Sequence, residues 1–304
     1  MPYDAAMRSD QPLTEPRLNH VQCLGGRGLH RMAYWEWGES ANPRVLVCAH
    51  GISRQGRDFD SLAQALSADY RVVCPDVVGR GRSDWLADPA GYQIPAYVAD
   101  MVTLLARLDA QTVHWVGTSM GGLIGLGLAS LPQSPIERLV LNDVGPTIQA
   151  DAIARIGTYL GAPIRWNSFE EAADYLWSIS QGFGPHSREQ WLALTRPMLV
   201  PDTTGNGSGF KPHYDPAIAV PFRAITPEAA ASGEAALWFM YDAIRVPTLL
   251  LRGAQSDLLT RDTAQAMTQR GPKARLVEFD GVGHAPTLVA PDQVAAVREF
   301  LRSP

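Results

Sequence analysis

The sequence predicts an α/β protein: a mostly parallel sheet with helices on both faces, interrupted by a helical insertion. Three observations carry this. Short, wholly apolar runs alternate with amphipathic helical stretches through the first half and again at the end of the chain. The alternation stops after Gly145-Pro146 and resumes only at Thr248. At one junction between an apolar run and a helical stretch stands Gly117-Thr118-Ser119-Met120-Gly121.

In chain order, two early strands are expected at 17–24 and 29–37, joined by the turn Gly25-Gly26-Arg27-Gly28. The run RVLVCA at 44–49 is apolar without alternation, as a parallel strand covered on both faces must be. Phe59, Leu62, Ala63 and Leu66 fall on one face of a helix over 57–66. A strand at 70–74 ends in the turn-rich DVVGRGRSDW. Pro95 then opens a helix with Tyr97, Met101, Leu104, Leu105 and Leu108 along one side. TVHWV at 112–116 and ERLVLND at 137–143 are further buried strands, separated by a small-residue helix that ends near Leu131.

Within 147–245 no buried strand is expected. Ser168 with Glu171, and Ser187 with Gln190, have capping-box spacing and start two helices. The first should bury Phe169, Ala172, Leu176 and Ile179. The second carries Trp191, Leu194 and Thr195, and a Gly-rich loop follows at 203–209. Strands return at 248–252 and 275–279, and a last helix starts at Pro291. The division that follows is an N-terminal arm at 1–16, a core at 17–146 and 246–304 forming an eight-stranded sheet, and a helical cap at 147–245 inserted after strand six.

Composition narrows the function. Of the 304 residues 46% are hydrophobic and 19% charged, enough apolar surface for a substantial core. The net charge is -5, and no basic stripe is present to neutralise phosphates, so no nucleic-acid partner is expected. No apolar run reaches membrane-spanning length, and the N-terminus lacks the apolar segment of a secretory signal. The cysteines Cys23, Cys48 and Cys74 match no metal spacing and are expected as buried reduced thiols, which points to a cytoplasmic protein. No metal, no organic cofactor and no membrane partner is expected.

The chemistry centres on Ser119. Its G-x-S-x-G frame follows an apolar strand and opens a helix, where a sharp turn lifts the hydroxyl off the sheet and leaves free N–H groups at the helix start. A serine hydroxyl needs a base. His284, in GVGHAP after the last strand, is the candidate; the other histidines lie within strands, in the cap or on the oxyanion loop. Asp257, in GAQSDLL just past the strand ending at Arg252, is the expected acid that orients the base. Asp143 also ends a strand and is its rival, but its expected role is to cap the turn leading into the insertion. The oxyanion donors are expected to be the N–H groups of Ile52 and Met120, with His50 bonding the loop backbone. Arg54 and Arg57 follow that loop, where they could meet a substrate carboxylate. Trp177, Trp191 and Trp238, with Trp166, Phe183 and Phe222, are candidates to line an apolar pocket.

The set HG at 50–51, DVVGRGRSD at 76–84, GTSMGG at 117–122, SD at 256–257 and GVGH at 281–284 resembles the α/β-hydrolase superfamily from about residue 17 onward, and most closely its bacterial esterase-like members with a helical cap. The resemblance implies a Ser-His-Asp triad and a structural role for Asp76, Gly79, Gly81 and Ser83. A serine at 119 argues against the haloalkane dehalogenases and most epoxide hydrolases of this fold, which use aspartate. The loop ISRQGRDF lacks the extra glycines many carbon–carbon hydrolases carry. The expected activity is hydrolysis of a small to medium, mostly apolar carboxylic ester. A lactonase, a carbon–carbon bond hydrolase, a cofactor-free perhydrolase or a low-activity ligand-binding protein are the alternatives.

Overall fold

The computed structural model describes residues 15–110, 112–203 and 209–303. Most of the expected N-terminal arm and the centre of the Gly-rich loop lie outside the described residues. The elements in order are β1 (Arg17–Gly25), β2 (Gly28–Trp37), β3 (Val45–Ala49), α1 (Asp60–Leu66), β4 (Arg71–Asp76), α2 (Ile94–Leu108), β5 (Val113–Thr118), α3 (Met120–Ala129) and β6 (Ile136–Asn142). Then come α4 (Ala150–Tyr159), α5 (Phe169–Ile179), α6 (Arg188–Thr195), β7 (Leu199–Asp202), β8 (Gly209–Pro212), α7 (Ala219–Arg223) and α8 (Pro227–Ala243). The chain closes with β9 (Thr248–Gly253), α9 (Arg261–Met267), β10 (Arg275–Phe279) and α10 (Pro291–Arg302).

Eight strands form one sheet in the order β1-β2-β4-β3-β5-β6-β9-β10. β2 runs antiparallel to both its neighbours, and from β4 onward every pairing is parallel. Side chains alternate between two separate cores, as a sheet covered on both faces requires. Val45, Val47 and Ala49 of β3 face the core that holds Met101 and Leu104 of α2 and Ile124 of α3. Leu46 and Cys48 face the core that holds Leu62 and Leu66 of α1 and Val297 and Phe300 of α10. The three cysteines are free and buried.

From β3 the chain crosses to β4 on one side and then returns past β3 to β5 on the other. The loops that leave β3 and β5 therefore diverge, and a crevice opens between them at the carboxyl ends of the strands. Gly121 sets how closely α3 meets that crevice. A Cβ there would lie 2.0 Å from the carbonyl oxygen of Ala49, and one on Gly117 would lie 2.2 Å from that of Gly121.

The segment between β6 and β9 is mostly helical, as expected. It also contains a two-stranded antiparallel ribbon, β7 with β8, that hydropathy does not announce. Each of its strands is only four residues long, too short for an alternating pattern to stand out. Two small apolar clusters hold this insertion together, around Trp166, Ala172 and Leu199 and around Ala173, Trp191 and Leu194. It is anchored on the loop after β4: Asp215 donates its N–H to the Gly79 carbonyl at 2.7 Å and accepts the Tyr92 hydroxyl at 2.6 Å. That loop is braced by Asp76, which accepts from the N–H groups of Gly56 and Arg82 and from the Trp35 indole. No described helix is long and apolar enough to cross a membrane.

Gly121→Ala is expected to lower stability by about 2–3 kcal/mol, because the added methyl meets a strand carbonyl that cannot yield. A urea midpoint equal to that of the unaltered protein would show that the helix has room to shift.

Candidate active site

Ser119 sits between β5 and α3 at φ 51°, ψ -116°, a left-handed conformation that ordinary residues avoid. Its own N–H is held by the Asn142 carbonyl at 3.0 Å, and its carbonyl accepts from Gly122 and Leu123. The backbone is thus pinned from both sides, and the hydroxyl projects into the crevice. There the Nε2 of His284 lies 3.0 Å from Ser119 Oγ.

The other imidazole nitrogen, Nδ1, lies 2.8 Å from Oδ2 of Asp143. Asp143 is fully buried, which an ionised carboxylate tolerates only when its oxygens are satisfied. Here they are: Oδ1 accepts from the N–H of Gly253 at 2.8 Å, and Oδ2 accepts the Ser256 hydroxyl at 2.6 Å as well as His284. An acceptor at Nδ1 keeps the proton on that nitrogen and leaves the Nε2 lone pair facing the serine hydroxyl.

The structure corrects the expectation for Asp257. Its carboxylate makes two bonds to Arg155 of α4, at 2.6 and 2.9 Å, and its side chain is 47% exposed. Burial acts to raise the Asp257 carboxyl, but the Arg155 hydrogen bonds and charge outweigh it, with His284 adding to the effect, and hold it below the usual carboxylate range. The physical reason lies in the turn after β9. Ser256 accepts the N–H groups of Leu258 and Leu259 and donates to Asp143, so Ser256 points inward and Asp257 outward. β6 and β9 are neighbours, and a carboxylate from either strand end can approach the same imidazole.

His50 is fully buried between the loop after β3 and the end of β4. Its Nδ1 bonds the Gly51 carbonyl at 2.7 Å, and its Nε2 accepts the Val77 N–H at 2.9 Å. Burial drives its pKa down to about 3, so it is neutral, with its proton on Nδ1. The Gly51 carbonyl belongs to the same peptide unit as the Ile52 N–H, and holding one fixes the direction of the other. Among the described residues, neither the Ile52 N–H nor the Met120 N–H donates to a backbone carbonyl. A Cβ on Gly51 would lie 3.8 Å from that of Ser119, so the two loops are in contact beside the hydroxyl.

A cavity opens over Ser119 and His284. The core contributes Gly51, Ile52 and Arg54, and the insertion contributes Tyr159, Trp166, Tyr175, Phe183 and Tyr214 among others. Of the expected pocket residues, Arg54, Trp166 and Phe183 line the cavity and Phe222 does not; the Arg54 guanidinium is bound at 2.6 and 2.8 Å to Asp58 and stacks over Phe183. Arg57 is likewise paired, with Asp60. Trp177, Trp191 and Trp238 do not line the cavity. Trp191 packs against Trp177 with ring centres 5.0 Å apart and donates to the Ala173 carbonyl, inside the insertion's own core. Trp238 donates to Thr147 under the guanidinium of Arg270. Periodicity identifies apolar faces but not which of them turns to the crevice.

Among the described residues, Cys23, His30 and Asp100 are the group of metal-binding side chains brought within ligand distance. His30 already pairs with Asp100 at 3.0 Å, and burial pushes the Cys23 thiol up to about 12, so it keeps its proton. These residues lie on β1, β2 and α2, which contribute nothing to the cavity.

The sequence matches the model of the Alpha/beta hydrolase family over residues 46–297. A 3-hydroxybutyrate-oligomer hydrolase from Cupriavidus necator is 59% identical over 285 residues, covering 94% of this chain and 97% of the relative. The crystal structure of an alpha/beta hydrolase from Novosphingobium aromaticivorans superposes with a TM-score of 0.81 at 34% identity, covering 94% of this chain and 98% of that one. The structure of E-2-(acetamidomethylene)succinate hydrolase, with a TM-score of 0.78, 20% identity, and 94% and 100% coverage, shares the fold.

Asp143→Asn is expected to lower kcat by about 10⁴-fold, because an amide in that place no longer fixes the His284 tautomer. Asp257→Asn is expected to change kcat less than about tenfold, since it only loosens an exposed ion pair. Steady-state kinetics on both variants with p-nitrophenyl butyrate decides between the two acids, and the reverse order would restore Asp257.

Proposed function

This chain belongs to the alpha/beta hydrolase family, and from that premise we propose that it is a serine hydrolase of carboxylic esters acting through an acyl-enzyme on Ser119. The observation that carries the proposal is the hydrogen-bonded chain from Ser119 through His284 to the buried Asp143, at 3.0 and 2.8 Å. The substrate class proposed is a short oligoester of 3-hydroxybutyrate type. The extent and degree of identity with the Cupriavidus enzyme support it, and so does an apolar, aromatic cavity with room for small acyl units beside the serine. In this reading the segment 147–245 acts as a cap that shapes the acyl pocket.

The proposed course uses the groups gathered around Ser119. Ser119 Oγ attacks the ester carbonyl carbon while His284 Nε2 takes its proton, and the imidazolium is stabilised by Asp143. Negative charge moves to the carbonyl oxygen and is received by the N–H groups of Ile52 and Met120, aided by the partial positive charge at the start of α3. His284 then protonates the leaving alkoxide, which departs as the hydroxyl end of a shortened oligomer. A water enters, gives its proton to His284 and attacks the acyl-enzyme; collapse returns the proton to Ser119 and releases the carboxylic acid.

A fluorophosphonate probe is expected to modify Ser119, and Ser119→Ala is expected to abolish hydrolysis of 3-hydroxybutyrate dimers and trimers. Adduct at another residue, or full turnover in Ser119→Ala, would refute the nucleophile. Turnover of lactones or β-diketones without ester cleavage would favour the corresponding alternative chemistry. Ligand binding without any turnover, unchanged in Ser119→Ala, would favour a binding protein.

A further inference from the structure

The Gly-rich stretch after β4 contains a charged group that the mechanism above leaves unused. Arg80 is 1% exposed. A guanidinium does not give up its proton inside a protein, so what is buried is a positive charge. Among the described residues no carboxylate lies within ion-pair distance of it, although most buried charges are paired. Its partners are neutral. Nε donates to the Ile52 carbonyl at 2.8 Å, and Nη1 donates to the Val78 carbonyl at 2.7 Å and the Tyr97 hydroxyl at 3.0 Å. Nη2 lies 3.6 Å from Met120 Sδ. The rings of Tyr97 and Tyr92 flank the guanidinium at 5.1 and 5.8 Å. The nearby acids act elsewhere: Asp215 accepts from Tyr92, and Asp100 pairs with His30.

Two of these contacts reach Ile52 and Met120, the residues read above as the oxyanion donors. We infer that Arg80 is a positioning residue for the oxyanion hole: it fixes Ile52 and Met120 from behind, and its unneutralised charge favours the negative oxygen of the tetrahedral intermediate. His50 and Arg80 divide the work. His50 holds the carbonyl of the peptide unit that carries the Ile52 N–H, and Arg80 holds the next carbonyl along. The donor is clamped on both sides, and little reorganisation is needed when charge develops. A fork of fixed geometry suits this task, because several acceptors in different directions are met at once; a lysine ammonium at the end of a flexible stem would not reach them all. A buried charge without a counter-ion costs stability, and a gain in the transition state accounts for its presence here.

The inference rests on the reading of Ser119 as nucleophile and of Ile52 and Met120 as donors, and the test separates the two. Arg80→Met and Arg80→Lys are assayed with p-nitrophenyl butyrate and with a trifluoromethyl ketone, whose serine adduct places an oxyanion in the same site. Ser119→Ala is run in parallel. Arg80→Met is expected to lower kcat by about 10- to 100-fold with KM within about twofold, and to weaken the ketone by the same factor as kcat. Arg80→Lys is expected to show the same pattern with a smaller loss, and it is read alone if the methionine variant does not fold. Unchanged kcat and ketone affinity in the folded variants would overturn the inference, as would a kcat loss that leaves ketone affinity intact. If Ser119→Ala retains turnover, the reading of the function fails; if it is inert while the Arg80 variants behave as the unaltered protein, only the inference fails.

Discussion

The contact between the first turn of α3 and the end of β3 is the constraint from which the site follows. With hydrogen alone on the Cα of Gly121, the helix lies directly against the Ala49 carbonyl. That approach forces the chain to turn sharply at Ser119, brings the hydroxyl beside Gly51-Ile52, and leaves the Met120 N–H at the head of a helix without an intrahelical acceptor. A relaxed turn at φ below zero would separate these groups. The unfavourable conformation at Ser119 is held by two cores that clamp the sheet, with Trp115, Ile124 and Leu126 on one face and Val116 on the other.

Electrostatics divides the two acids near His284. Asp143 is the more expensive to bury and the better placed. With three donors and no solvent, its orientation is fixed, and its negative charge is felt at the imidazole through a medium of low dielectric. Asp257 is half in water, where its field is screened, and its lowered pKa reports the company of Arg155. An acid that must steady a developing imidazolium does so best from the dry position. Ser256, placed between the two, sets which is which.

Much of this architecture was legible in the residues. Buried parallel strands advertise themselves by uninterrupted apolar runs, so β3, β5, β6 and β9 fall where RVLVCA, TVHWV, ERLVLND and TLLLR stand. Helix starts were legible where a side chain satisfies a free N–H: Ser187 and Gln190 form a complete capping box, while Ser168 caps α5 and Glu171 reaches back to Asn167 instead. The meeting of Ser119 and His284, at 3.0 Å, was legible because strand–turn–helix context restricts what a serine can do. The carboxylate that meets His284 was not, because two adjacent strands each end near an aspartate and their chain order relative to serine and histidine is the same. A charged residue that directly ends a wholly buried strand, as Asp143 does, was the signal available, since such a position demands several partners. The pocket walls were legible as apolar helices but not as surfaces: Trp177, Trp191 and Trp238 went to cement, while Trp166 and three tyrosines went to the cavity.

Two of the polar attachments that hold the insertion against the core contrast with each other, beside others such as the Gly283 N–H on the Gly182 carbonyl and His186 with Thr287. The pair Arg155–Asp257 bridges α4 and the turn after β9 at the mouth of the cavity, but both side chains are more than two-fifths exposed, and ion pairs of that kind contribute little. Because the Asp257 carboxyl is held low, its contribution is complete at neutral pH and is lost as pH falls through and below the ordinary carboxylate range. The second attachment is buried: Asp215 at Gly79 and Tyr92, the Gly81 N–H on the His213 carbonyl, and the bridge of Arg80 with Tyr214. Breaking it would strand polar groups away from water, at a cost greater than an exposed pair provides. The insertion is therefore tied to the loop after β4 by buried polar bonds, while α4 is held by burial of Ala152 and Ile156 in the core more than by its exposed ion pair. The buried bonds fix Tyr214 in the cavity wall that it shares with Ile52, whereas Arg155 in the same wall meets Asp257 through an exposed pair.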